Sequence, residues 1–253
     1  RFKTFKNLPE LMTVFKETTD IKTAKMLDLE TPKNVEMKTI VAPLSVQQKA
    51  YMQQIVSRAQ DVQSGYVDKE DDNWLKITGD ARKMSLDIRL AEPTADEDKE
   101  SKVNLAVENI FEIWKAGKKT RPDKKGKDLN NTTQLVFADM GTPKAAKQNA
   151  EGDDIENDED EVLSFDVYGD MRNKLIKLGI PKEELAFIHE AKTPKKKEKL
   201  FKDMKSGKVR VLFGSTEKMG AGMNVQDRLE ALHHIAAPWR PSDIEQREGR
   251  MIR

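Results

Sequence analysis

From position 45 the apolar residues of this chain recur three and four apart: Tyr51, Ile55, Ala59 and Val62 share one helical face, and Ser45 with Gln48 forms a capping-box pair at its start. The spacing predicts a helix over 45–62. A second helix, over 101–116, gathers Val103, Val107, Ile110, Phe111 and Trp114 on one stripe and stops at Gly117. The front of the chain therefore reads as mainly helical. Residues 115–127 then carry seven basic side chains among Gly and Pro. They form an exposed connector, either a plain solvated linker or a surface turned toward DNA.

Behind the connector short apolar runs alternate with helical patterns. Leu135-Val136-Phe137-Ala138 is followed by a helix over 166–178, closed by Gly179 and Pro181. Leu185-Ala186-Phe187-Ile188 comes next, then a helix that begins at Thr193-Pro194 and ends at Gly207. The run 209–213, a strand around His234-Ile235-Ala236, and a final helix from Asp243, with Ser242 as cap and Glu245 closing the box, complete the series. Alternating units with continuously apolar strands predict an α/β fold, a parallel sheet with helices on both faces. The expected division is a mainly helical lead-in over 1–117 and an α/β lobe over 128–253, with an acidic insertion at 144–162. Eight of the eleven residues 151–161 are carboxylates, a self-repelling run that reads as a disordered surface insertion rather than an acidic docking segment.

At 253 residues and 37% apolar content the chain can bury a core of one large or two small domains. Its 45 Lys and Arg against 44 Asp and Glu leave a net charge of +1, so any nucleic-acid surface has to be local. With no Cys and three His, disulfides, thiolate chemistry and a His- or Cys-built metal site drop out, and a reducing cytoplasm is the expected location. No apolar run approaches the roughly 18 residues of a membrane helix, and no signal peptide opens the chain. It starts at Arg1 rather than Met, so a piece of a longer protein is expected.

Two stretches carry candidate chemistry. Gln246, Arg250 and Arg253 stand at i, i+4 and i+7, and Gly249 leaves room for close approach. Two guanidiniums on one stripe make an anion receptor, because the planar fork pairs with phosphate oxygens and stays charged. Surface ion pairs with Asp243 or Glu248 would use the same spacing. After the run ending at Phe213 come Gly214-Ser215-Thr216 and Gly220-Ala221-Gly222-Met223-Asn224. Such a loop at the carboxyl end of a parallel strand is either a structural turn or a phosphate contact. It does not complete a dinucleotide fingerprint, since Val225 stands where the third glycine belongs. Neither Gly117-Lys118 nor Gly207-Lys208 completes a P-loop, so this chain alone does not hold ATP. Asp158-Glu159-Asp160-Glu161 follows no apolar strand and is not read as a magnesium site. His233 and His234 read as packed beside a strand, and Trp239 as a packing anchor.

Taken together, these segments resemble the carboxyl-terminal half of superfamily-two helicases, most closely the Swi/Snf-type branch. Ser215-Thr216 with 220–224 resembles that family's motif V, Gln246-Arg247-Glu248-Gly249-Arg250-Met251-Ile252-Arg253 its motif VI, and Leu135-Val136-Phe137 its motif IV. Lys192-Thr193-Pro194 with Lys197 resembles the segment after the next strand, and Pro238-Trp239-Arg240-Pro241 the stretch before motif VI. The style of 238–253, with 75–89, is similar to helicase and DNA-methylase fusion proteins of phages and conjugative elements. The resemblance implies a RecA-like lobe of the P-loop NTPase type, acting in a DNA-stimulated ATPase that translocates on DNA. ATP and Mg2+ would be held only together with a first RecA-like lobe of the same parent chain, with DNA and a fused methylase domain as further partners. By the same resemblance Arg250 and Arg253 would be arginine fingers positioned by Gln246. Gly220, Gly222 and Asn224 would lie by the nucleotide, and Thr193, Lys197, Ser215 and Thr216 would face DNA phosphates. The rival reading is a non-catalytic module that binds DNA or protein. Met219, Ala221 and the acidic insertion depart from the family pattern and bear mainly on the DNA contacts.

Overall fold

The computed structural model describes residues 6–20, 22, 26, 36–119, 121–122, 128–142, 165–219 and 223–249. Backbone contacts divide the chain into two units, 1–35 with 252–253, and 36–251. In the first, α1 (Leu8–Thr18) has Pro9 in its first turn and leaves Leu8, Leu11, Val14 and Phe15 exposed. All other described elements belong to the second.

The lead-in of the second unit is helical. α2 (Val46–Ser64) carries the full capping box: Ser45 Oγ accepts from the Gln48 amide and Gln48 Oε1 from the Ser45 amide, both at 3.1 Å. α3 (Trp74–Leu86) is a helix that the sequence reading did not single out, and only Ile77, Met84 and Leu86 are buried along it. Polar chemistry holds it instead. Asn73 caps its first turn, and Arg58 of α2 donates to Asp72 (2.6 and 3.0 Å) and Asp80 (2.9 Å). α4 (Lys102–Ala116), capped by Ser101, buries Val103, Val107, Ile110 and Trp114 as its stripe predicts. Gly117 follows because a Cβ there would lie 2.0 Å from Thr132 Oγ1. Within the basic connector, β1 (Arg121–Pro122) pairs antiparallel with β2 (Asp128–Leu129).

Among the described residues four parallel strands make the main sheet: β3 (Thr133–Phe137), β4 (Leu185–Phe187), β5 (Val211–Gly214) and β6 (Leu229–His234), in the order β4-β5-β3-β6. Between them lie α5 (Val167–Lys177), α6 (Pro194–Ser206) and α7 (Thr216–Met219), and α8 (Pro241–Glu248) follows. Side chains alternate across the strands into two cores. Val136, Val211, Phe213, Leu185 and Phe187 pack against α4 and α5 on one face. Leu135, Phe137 and Leu212 meet Met204 of α6 and Met219 of α7 on the other. Full burial of each such side chain contributes about 1.5–3 kcal/mol, so the two cores together fix the α/β architecture that the alternating pattern predicts.

Several boundaries shift by one or two residues from expectation, and two of the differences have a clear cause. The last strand is β6, whose ladder with β3 ends at Phe137 opposite His234; the Ile235 amide adds one bond to Phe137 O, and Ile235 and Ala236 are buried just past the strand. The length of β3, invisible in the local pattern of 229–236, sets that end. α8 starts at Pro241, whose fixed φ suits a first helical position. Ser242 therefore falls inside the first turn and caps nothing; Arg240 stands at the cap without a side-chain bond. The acidic segment 144–162 lies outside the described residues.

A buried polar seam stitches α4 to the sheet. Gln134 Nε2 donates to Ile110 O at 3.0 Å, His233 Nε2 stands 2.8 Å from Gln134 Oε1, and Asn109 Nδ2 lies 3.5 Å from His233 Nδ1. This pattern fits a neutral imidazole with its proton on Nε2. Burial, and secondarily the adjacent His234, pulls the His233 pKa from 6.5 down to about 4. The unfolded chain takes up this proton below about pH 6.5 and the folded chain only near pH 4, so stability is whole above that window and falls as pH drops through it. We predict that His233→Gln removes about 2 kcal/mol of the stability difference between pH 7.5 and pH 5. Urea unfolding of both forms at the two pH values measures this, and equal pH dependence would count against it.

Candidate functional site

The chain leaves β3 over the α4–α5 face, through α5, and leaves the adjacent β5 over the opposite face, through α7. The two exits diverge, which creates a switch point between β3 and β5 at the carboxyl edge of the sheet, the place where such sheets take ligands. Asp139 lies two residues past the end of β3 and Thr216 two past the end of β5. They meet there. The Thr216 amide donates to Asp139 Oδ1 at 2.7 Å, and the Thr216 hydroxyl lies 2.9 and 3.0 Å from the two carboxylate oxygens.

Arg247, from α8, closes the group. Its Nη2 donates to Asp139 Oδ2 at 2.6 Å, its Nε to Thr216 Oγ1 at 2.8 Å, and its Nη1 to Ala236 O at 3.3 Å. Nη1 is also 3.3 Å from His234 Nδ1, and the guanidinium lies over the Phe137 ring. The arginine side chain is 0% exposed, its Asp139 partner 24%. Burial lowers the Arg247 pKa and Asp139 pushes it back up; burial and Arg247 together lower that of His234. A neutral His234 can thus accept at Nδ1. The ends of β3, β5 and β6 and the helix α8 are in this way pinned to one ion pair, fully partnered by charge-assisted hydrogen bonds.

Sequence reasoning missed Arg247 and Asp139. Signals existed: Arg247 shares a helical face with Ile244, the only apolar residue within 242–248, and Asp139 directly follows a fully buried strand. Of the predicted residues, Gln246 and Asn224 are exposed. Arg250, Arg253, Gly220 and Gly222 lie outside the described residues. Trp239, expected to be a packing anchor, is 62% exposed.

The other part of the edge lies past β4 and β5. Thr193 caps α6, its hydroxyl accepting from the Lys196 amide at 3.3 Å, and Ser215 Oγ accepts from the Lys218 amide at 3.4 Å. Thr216, by contrast, has its hydroxyl taken up by Asp139 and Arg247. Six of the thirteen α6 residues are Lys, against Glu198 and Asp203. Lys195, Lys196 and Lys199 are exposed in its first two turns, with Lys197 half-buried. The charge of Lys218 also reaches the end of β4, where it joins burial in lowering the His189 pKa. A chain of net charge +1 therefore concentrates cations at this corner. Among the described residues no three His, Asp or Glu side chains cluster as metal ligands, and no helix is long and apolar enough to cross a membrane.

Residues 156–253, from α5 through α8, match the family described as the helicase conserved C-terminal domain, which marks this stretch as a C-terminal helicase lobe. A comparison with curated proteins gave no match.

Proposed function

We propose that the chain is the second lobe of a Swi/Snf-type, DNA-stimulated ATPase that translocates on DNA. The observation that carries this reading is the pinning of α8, by Arg247 to Asp139 and Thr216, at the switch point of a parallel sheet, with Thr216 and α8 inside the stretch 156–253 that matches the helicase conserved C-terminal domain and Asp139 ahead of it. The α8 helix leads directly into Arg250. ATP with Mg2+, when bound, supplies the phosphoryl transfer that drives motion. In this chain Arg250 and Arg253 would meet the developing charge, the exposed Gln246 would orient them, and Gly220, Gly222 and Asn224 would border the nucleotide. By type these residues would make half of a nucleotide site, and the P-loop and the magnesium carboxylates would come from a first lobe. Joined to such a lobe, the protein hydrolyses ATP faster with duplex DNA than without it. An activity indifferent to DNA would refute the DNA-stimulated motor, and no activity at all would favour the non-catalytic module.

DNA runs, in this proposal, along Thr193, Lys197 and Ser215, while Thr216, whose amide and hydroxyl are both bonded to Asp139, has no donor left for a phosphate. The exposed lysines of α6 extend that path. Replacing Lys195, Lys196 and Lys199 together by Gln is expected to flatten the salt dependence of duplex binding, at about 0.9 in log–log slope per lost phosphate contact, hence a total of about 2–3. Fluorescence anisotropy with a labelled duplex across a KCl series measures it. An unaltered slope would mean that DNA does not cross α6.

A further inference from the structure

The helix α8 is eight residues long, has no side-chain cap, and buries only Arg247. Two helical turns are marginal on their own, and one buried residue near the far end does not fix the direction of the near end. Something else has to hold the approach, residues 237–240. That contact comes from α3. Arg82 Nη2 donates to Ala237 O at 3.0 Å, and its guanidinium carbon stands 4.0 Å from the centre of the Trp239 ring. Trp239 remains 62% exposed, so the cation over its face, rather than packing, accounts for its position. Arg82 itself is on firm ground. Its helix is held by the Arg58 bonds to Asp72 and Asp80, and by Gln48 Nε2 donating to Met84 O at 2.9 Å.

We propose that Arg82 is a positioning residue, a clamp through which the helical lead-in sets the pose of α8, the helix that precedes Arg250 and Arg253 in the sequence. Arg247 fixes the helix to the sheet and Arg82 fixes its approach to α3, so α8 is held between two points on different layers. A shift of α3 against the sheet turns α8, which couples the lead-in to the carboxyl edge. The consequence for ATP hydrolysis rests on the function proposed above; the mechanical part does not.

Hydrogen exchange on this 253-residue chain tests the mechanical part. In Arg82→Met, which keeps length and removes charge, the amides of α8 and its approach are expected to exchange about ten times faster, the scale of a lost cation–π contact with its hydrogen bond. β3 and α5 should not change. Arg82→Lys should restore most of the protection, and Trp239→Ala should reproduce the loss. Unchanged exchange in α8, or acceleration spread equally through α2 and α3, overturns the clamp. In the two-lobe protein Arg82→Met is then expected to lower kcat about tenfold with KM and DNA affinity little altered. An active parent whose kcat ignores Arg82→Met overturns the positioning role. A parent with no ATPase activity overturns only the motor reading and leaves the exchange result to decide the clamp.

Discussion

Arg250→Ala, in a protein that joins this lobe to one carrying a P-loop, is expected to lower DNA-stimulated ATP hydrolysis by about 10³-fold or more while duplex binding persists, because an arginine at the γ-phosphate contributes about 10³ to 10⁵ in rate. The loss is expected to fall on kcat, since a guanidinium in the proposed role would meet charge that develops only in the transition state. Arg250→Lys should recover little: an ammonium is a single point charge and cannot offer the parallel pair of donors of a guanidinium fork. The result contrasts with that of the α6 lysines, whose replacement weakens DNA binding and its salt dependence without touching turnover at saturating DNA. An Arg250→Ala protein that hydrolyses ATP at the unaltered rate would sink the motor assignment. A wild type that binds DNA but hydrolyses nothing would leave the module reading standing.

Asp139→Ala is expected to cost about 3–5 kcal/mol of folding stability, the usual consequence of leaving a buried charge without its partner. The cost is asymmetric. Arg247 is wholly buried, while the Asp139 side chain keeps 24% of its surface in solvent. Arg247→Met, which removes the buried charge and leaves a carboxylate that water can reach, should therefore cost distinctly less. The double variant should cost less than the sum of the two, as for any pair whose members act through each other. Urea unfolding at pH 7.5 gives all three values. A larger loss for Arg247→Met than for Asp139→Ala would mean that the ion pair is not what holds α8 to the sheet, and the basis of the proposed site would go with it.

The fold was largely legible because its signals are local. The stripe Val103, Val107, Ile110 and Trp114 and the capping pair Ser45 and Gln48 declare their helices within a few residues, and Thr193-Pro194 and Gly207 bracket α6. α3 was passed over although Trp74, Ile77, Ala81 and Met84 recur at helical spacing behind the cap Asn73, because Gly79 and the exposed Leu75 blur that stripe and Arg58 from another helix holds it by charge. The end of β6 was misplaced because strand length is decided by the partner strand, and the cap of α8 because Pro241 pre-empted Ser242.

The candidate site divides along the same line. Residue types and spacing alone singled out the Arg250 and Arg253 stripe and the loop that holds Ser215 and Thr216, since an anion receptor can be read from what lies on one helix or one loop; Thr193 entered only through the family resemblance. The sequence also determined, through the alternation of apolar runs and helices, that a parallel sheet would have helices on both faces. Only the tertiary structure joined Asp139, Thr216 and Arg247, up to 108 residues apart, or laid Arg82 against Trp239. The reason is physical: a buried ion pair or a cation over a ring depends on which strand ends become neighbours, and strand order is set by how the whole chain packs its two cores.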